Sequence, residues 1–314
     1  MKNFLNNIVV AMAVAIFIFF FHSQPSKSDT IKFVQLSDIH YTAVRNDTSY
    51  KSLSQSKNLL LDALDQINAM KDIDFVMVTG DGIDQPTASS ANELFCMLNE
   101  LKFPWYYSLG NHDTTTSGTL SKECFVSMLK NANKQYTFEK PYYSFSPKKG
   151  FKVIVMDGAK NRGISSNGNI PEEQLTWLDS ELKESKKDVV MIFLHFPLLE
   201  PFPSSHHRIL NSDDFYAVLN KYKNPIAIFS GHYHTTKITK SGNLLHVSSP
   251  ALVSYPNAFR VVSVTNQRNK IVFDFYFHET RLKEVQTKAK LRTFGSSSYY
   301  GTESDRTTTV IMDK

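Results

Sequence analysis

The 314-residue chain carries only two cysteines, Cys96 and Cys124. Two thiols cannot build a zinc finger or an iron–sulfur site on thiolates alone. Glycine and proline number 12 each, too few for a collagenous, Pro-rich or low-complexity chain. Neither sign of charge dominates: 35 Lys and Arg stand against 30 Asp and Glu, a formal +5 spread along the whole length. Nucleic-acid binders concentrate basic residues on one face, so this balance points away from that class. Internal repeats are absent. What is left, at 41% hydrophobic residues, is a globular chain long enough to bury a large core without staples.

One long apolar run, Ile8 to Phe21, follows Lys2 and the polar Asn6-Asn7 pair. It reads as the h-region of a secretory signal and is shorter than the about 20 residues of a membrane span. His22-Ser23-Gln24-Pro25 offers no Ala-x-Ala site, so cleavage and retention as an N-terminal membrane anchor both stay open. Residues 1–29 are therefore expected to be a signal peptide or anchor plus linker, and the protein to be exported: periplasmic, secreted or anchored facing outward. In that oxidising setting Cys96 and Cys124 either pair or remain two buried free thiols on neighbouring helices.

From Ile31 onward, β-type runs alternate with helical patterns. Ile31–Leu36, Phe75–Val78, Trp105–Leu109, Val189–Leu194 and Ile226–Phe229 are apolar strands; Leu53–Met70, Ala91–Leu101 and Asp213–Leu219 carry apolar residues at helical spacing. Pro171-Glu172-Glu173 opens a further helix toward Leu182. Tyr142–Phe145 and Phe151–Met156 form a hairpin, and the second half turns mostly β, with strands near Lys237, Leu244, Val261 and Ile271. Alternation followed by a β-rich half predicts an α/β (α+β) fold of two packed sheets flanked by helices, over residues 30–278. Residues 279–314 read as a polar extension: a solvated basic helix and a frayed end.

Five short groups of Asp, Asn and His follow predicted strands: Asp38-Ile39-His40, Gly80-Asp81-Gly82-Ile83-Asp84, Gly110-Asn111-His112-Asp113, His195-Phe196-Pro197 and Gly231-His232-Tyr233-His234. Ligands bind at the carboxyl ends of strands in open α/β sheets, so the five loops should converge. Asp38, His40, Asp81, Asn111, His195, His232 and His234 are too many donors for one ion and suit two ions sharing a carboxylate, with Asp81 the natural bridge. Oxygen and imidazole donors without thiolate favour manganese, iron or zinc. Glycine at 80, 110 and 231 would let the backbone turn sharply beside the ions. Asp84 and Asp113 taken singly are ordinary turn or cap formers.

In this order and spacing the five groups resemble the motifs of the calcineurin-like metallophosphoesterase superfamily (D-x-H, G-D-x-x-D, G-N-H-[DE], a lone His and G-H-x-H) over roughly Ile31 to His246. The resemblance implies a four-layer sandwich of two mixed sheets with outer helices. It also implies a first metal on Asp38, His40, Asp81 and His234, and a second on Asp81, Asn111, His195 and His232. His112 would face the substrate and assist the leaving oxygen, oriented by the carboxylate of Asp84. The implied reaction is hydrolysis of phosphodiesters or phosphomonoesters through a hydroxide bridging the two ions.

His206, His207 and Arg208 are candidates to meet a small phosphoester substrate, and the loops at 41–50, 161–170 and 255–259 to shape specificity. Asp84 and His40 stand where purple acid phosphatases have Tyr and Gly. Gln85-Pro86 and Asp113 depart from the protein phosphatases, which leaves phosphoprotein as the less favoured substrate. The pattern is most similar to small single-domain phosphodiesterases of the class III cyclic nucleotide type, from which the chain departs in having one His, His195, before Phe196-Pro197. A metal-free binding or scaffold module on the same fold would be expected to have lost ligands, and none of the seven is missing.

Overall fold

The computed structural model describes residues 29–114, 120–160 and 165–314. The apolar run 8–21 and residues 161–164 of one expected specificity loop lie outside the described residues. Among the described residues, no helix is long and apolar enough to cross a membrane.

Two six-stranded mixed sheets form the body. The first has the order β12-β11-β10-β1-β2-β3. Its strands are β1 (Thr30–Leu36), β2 (Phe75–Thr79), β3 (Trp105–Ser108), β10 (Ala258–Asn266), β11 (Lys270–Glu279) and β12 (Thr308–Asp313). β1, β2 and β3 run parallel, and β10, β11 and β12 add antiparallel on the other side. The second sheet has the order β4-β5-β6-β7-β9-β8. It is built from β4 (Tyr143–Phe145), β5 (Phe151–Val155), β6 (Val189–Phe193), β7 (Ile226–Ser230), β8 (Lys237–Ser241) and β9 (Leu244–Ser248). β5, β6, β7 and β9 are parallel, with β4 and β8 antiparallel at the edges.

The β-rich apolar runs explain the contact between the sheets. Phe33 of β1 meets Phe193 of β6 and Phe229 of β7 edge to face, with ring centroids 5.4 and 5.2 Å apart, and stacks on Phe75 of β2 at 5.1 Å. Edge-to-face aromatic packing of this kind adds about 0.5–1.5 kcal/mol per pair beyond area burial. Parallel neighbours need crossovers, supplied by α1 (Ser56–Asn68), α2 (Ala88–Leu98), α4 (Glu172–Glu184) and α5 (Ser212–Leu219), with α3 (Lys122–Ala132) beside α2. Each helix buries one apolar stripe, as in Leu60, Ala63, Leu64 and Ile67 of α1. Since the inner sheet faces meet each other, these helices form the outer layers.

Two expectations are corrected. The segment after 279 is not a frayed extension. It forms α6 (Lys283–Arg292), α7 (Ser296–Tyr300) and α8 (Glu303–Arg306), then returns as β12 along β11. Thr308-Thr309-Val310-Ile311-Met312 is a β-prone run with an open sheet edge to join. Arg260, fully buried in β10, locks the return by donating to the carbonyls of Ser248 (3.2 Å) and Asp305 (2.7 Å). The cysteines, in turn, are both free and exposed. They sit off the buried stripes of α2 and α3, so they form neither a disulfide nor part of the core.

Candidate active site

The carboxyl ends of β1, β2, β3, β6 and β7 lie together, and each ends in one of the five groups. The loops are bound across one another: Asp38 N–H donates to Gly80 O (3.1 Å), His40 N–H to Asp81 O (2.9 Å) and Gly231 N–H to His195 O (2.9 Å). Asp38, His40, Asp81, His232 and His234 all have left-handed backbone, with φ between 45° and 70°. Non-glycine residues in that region cost on the order of 1 kcal/mol or more each and persist where the surroundings over-determine them, which is a mark of functional loops. Gly80 needs both its φ of +84° and room, because a Cβ would meet the His195 ring at 2.5 Å, whereas at Gly231 the need is space alone, because a Cβ would collide with the Ser37 hydroxyl and the Asp38 carboxylate.

Three compact groups of possible donors result among the described residues: His40, Asp84 and His112 form one, and the other two are Asp38, His40 and His234, and Asp81, His195 and His232. The Asp81 Oδ2 atom lies between these last two, 3.5 Å from His40 Nε2 and 3.2 Å from His195 Nε2. Its other oxygen accepts the backbone N–H of His112 at 2.8 Å, which holds the carboxylate in this orientation. Asn111 lines the same cavity beside Asp81. In each histidine the nitrogen away from the centre meets an oxygen. His195 Nδ1–H donates to Thr79 O (2.8 Å), His232 Nε2–H to Ser166 O (2.8 Å), and His234 Nδ1 lies 2.8 Å from Ser254 Oγ. His40 Nδ1 lies 3.3 Å from the Asp84 carboxylate. A carbonyl can only accept, so His195 and His232 in their neutral forms hold the proton on the outer nitrogen and turn the lone pair inward, as metal ligation requires.

Electrostatics divides the imidazoles. His40 Nε2 is buried without a hydrogen-bond partner, and burial, with Lys51 and His112 nearby, pushes the His40 pKa down to about 3. His232 is likewise held neutral by burial. Burial opposes the charge of His195 too, but the Asp81 carboxylate outweighs it and raises that imidazole to about 9. Burial works against ionised Asp38, yet His234 and His195 keep its carboxyl below the usual range. Two buried carboxylates and four imidazoles, one of them with an orphaned ring nitrogen, form a donor set that fits a pair of divalent ions.

His112, on the single helical turn Asn111–Thr114, edges into the cavity. Its Nδ1–H donates to the backbone carbonyl of Asp84 at 2.9 Å, while the Asp84 carboxylate stands 3.9 Å away. The expected orienting role of that carboxylate is therefore corrected: it faces His40, Arg45 (3.0 Å) and Lys51 (3.7 Å) instead. Asp113, ordinary as a turn former in sequence, accepts the N–H groups of Asp81, Gly82, Ile83 and Gly110 and the Tyr107 hydroxyl at 2.8–3.2 Å. It is the post around which the Asp81 loop is wound.

A cavity of about 330 Å³ opens above these groups. Tyr50, Phe202, Tyr233 and Tyr299 give it an aromatic rim, and Lys51 and Ser166 complete its wall. Of the candidate substrate residues, His207 lines it, with its ring 5.2 Å from that of His232. His206 and Arg208 are exposed and outside the lining. The loop at 255–259 also stays outside it. Sequence reasoning missed Lys51 and Tyr299, which belong to no metal-ligand pattern, and read Asp113 of the third group only as an ordinary turn or cap former.

Known proteins resemble the chain in sequence and in fold. A 3′,5′-cyclic-nucleotide phosphodiesterase of Nostoc sp. is 25% identical over 230 residues, 70% of this chain and 78% of that protein. A manganese-dependent ADP-ribose/CDP-alcohol diphosphatase of Arabidopsis thaliana is 22% identical over 259 residues, 67% of this chain and 81% of that protein. The crystal structure of a dimetal phosphatase from Danio rerio shares the fold, with a TM-score of 0.64 and 17% identity over 82% of this chain and all of that one. The family model of the calcineurin-like phosphoesterases matches residues 31–236, well over half of the chain, and with its five loops converged on one donor set the chain belongs to that family of hydrolases.

Proposed function

We propose that this phosphoesterase cleaves small phosphodiesters at a dinuclear centre, with Asp38, His40, Asp81 and His234 holding one ion and Asp81, Asn111, His195 and His232 the other. The observation that carries the reading is Asp81 Oδ2, within 3.5 Å of an inward imidazole nitrogen of each donor group. Ions bound there supply polarisation of the phosphoryl oxygens and a water of lowered pKa.

The protein's own groups do the rest. The hydrogen bonds on the outer imidazole nitrogens orient the ligands, and the aromatic rim excludes water and positions the organic part of the ester. His112 presents Nε2 to the cavity, because Nδ1 is committed to the Asp84 carbonyl, and there it meets the leaving oxygen. The names of the relatives, phosphodiesterase and diphosphatase, support a phosphorus bearing two substituents rather than one. The apolar run Ile8–Phe21 supports export, and recovery of the full chain only from the cytoplasm of expressing cells would contradict it.

Hydrolysis of bis-p-nitrophenyl phosphate and of p-nitrophenyl phosphate, with added Mn²⁺ and after chelation, tests the reading. Turnover should require metal, favour the diester, and fall at least about 10³-fold in Asp81→Ala, whose metal content should drop from about two ions per chain. A folded protein that binds no metal and turns over neither ester would leave a binding module on this fold. Preference for phosphopeptides would move the assignment to a protein phosphatase.

A further inference from the structure

Lys51 belongs to none of the five motifs, yet its ammonium reaches the centre of the site. Its side chain is 7% exposed. Nζ lies 3.2 Å from His40 Nδ1, 3.4 Å from His112 Nε2 and 3.7 Å from the Asp84 carboxylate. The placement is built from the backbone outward. Lys51 N–H donates to Thr48 Oγ1 (2.9 Å), its carbonyl accepts the Thr48 N–H (2.9 Å), and the residue bridges antiparallel to Ser254. From the C-terminal segment, Arg292 clasps the same loop through Asp47 (2.6 Å) and Ser52 (2.9 Å).

A buried ammonium is costly to keep, so a reason for its position is needed. Balancing Asp84 does not suffice, because Arg45 already reaches the other Asp84 oxygen from the outside at 3.0 Å. What Lys51 alone does is place a positive charge with rotatable N–H donors beside the Nε2 of His112, on the side of His40 away from the ion-binding donors.

We propose that Lys51 is a catalytic residue whose ammonium hydrogen-bonds to the leaving-group oxygen beside His112. This rests on the phosphodiesterase reading above. In the net reaction a water oxygen bonds to phosphorus, and the bond from phosphorus to the leaving oxygen breaks with its electron pair staying on that oxygen. One water proton ends on the departing alcohol. Lys51 keeps its own protons and contributes charge and a hydrogen bond as negative charge develops, which matters most when the leaving oxygen is strongly basic.

The test is a series of phosphodiesters graded from p-nitrophenyl through phenyl to alkyl leaving groups, measured on wild type, Lys51→Met and Lys51→Arg, with metal content determined for each. In Lys51→Met, kcat/KM should fall about threefold for p-nitrophenyl and about 10²-fold for alkyl esters, so its dependence on leaving-group basicity steepens. Lys51→Arg should recover most of the wild-type slope. Parallel slopes in wild type and Lys51→Met overturn the proposal while leaving the phosphodiesterase reading intact, whereas a wild type inactive on every ester overturns both. Should Lys51→Met lose metal, Lys51→Gln replaces it. Metal loss in both variants overturns the proposal in favour of a role in holding His40.

Discussion

The backbone carbonyl of Asp84 accepts the Nδ1–H of His112 at 2.9 Å, while the Asp84 carboxylate lies 3.9 Å away and turns to His40. A side-chain substitution at 84 therefore leaves the acceptor of His112 in place. Asp84→Asn should act on metal affinity through His40, by about 10- to 100-fold, and recover most of its kcat in excess Mn²⁺. His112→Ala should lose about 10²- to 10³-fold in kcat at any metal concentration. Equal losses in the two variants at saturating Mn²⁺ would mean that the carboxylate orients the ring after all.

Asp113 and the loop it organises give a stability prediction. Its two oxygens receive four backbone N–H groups and the Tyr107 hydroxyl, and it is fully buried. Asp113→Ala strands the Asp81, Ile83 and Gly110 N–H groups, while the Gly82 N–H keeps the Tyr107 hydroxyl oxygen at 2.9 Å, and each buried donor left unsatisfied costs about 1–3 kcal/mol. Urea denaturation should show a loss of about 3 kcal/mol or more, with Asp113→Asn between the two because it keeps one oxygen. A loss below about 1 kcal/mol would mean that water replaces the carboxylate.

How much of this was legible beforehand follows the physics of each signal. The central strands of both sheets include short apolar runs, so Phe75–Thr79 and Val189–Phe193 could be read almost to the residue. The convergence of the five Asp, Asn and His groups could be read because ligand chemistry restricts residue type and each group follows a strand, two of them with i, i+2 spacing. Lys51 could not: it reaches the site through a turn at Thr48 and a bridge to Ser254, more than 200 positions away. The role of Asp84 was misassigned because a sequence records the side chain and not which oxygen of a residue faces its neighbour. β12 was missed because the Ser- and Tyr-rich stretch before it hid a β-prone run whose partner edge exists only once β11 has formed.

Tyr299 tests whether the C-terminal segment is part of the site. Its carbonyl accepts the Thr236 N–H at 3.0 Å, two residues beyond His234, and its ring lines the cavity with Tyr50 and Phe202. Tyr299→Ala removes part of the cavity wall and none of the proposed metal donors. KM for aryl phosphodiesters should rise several-fold, with kcat within about twofold and metal content unchanged. A fall in kcat with KM unaltered would place the tyrosine at the reacting atoms instead.

His246 sets an acid limit on stability at a distance from the metal donors. It sits in β9 between Ile228 and Thr239, with its ring 6.2 Å from Tyr216, and its Nδ1 has no hydrogen-bond partner. Glu200 and Lys237 line the small cavity beside it. Burial pushes its pKa down to about 4, against about 6.5 in an unfolded chain. Between those values the unfolded state binds a proton that the native state refuses. The stability contributed by neutral His246 is therefore complete above about pH 6.5 and lost progressively as pH falls toward 4, about 2 kcal/mol of it by pH 5. His246→Gln removes this titration. Urea denaturation at pH 7 and pH 5, with chelator in every sample so that metal release cannot contribute, should show a loss on acidification about 2 kcal/mol larger in wild type than in His246→Gln. The same loss in both proteins would mean that the imidazole accepts its proton without unfolding, through a rearrangement that brings Glu200 to it.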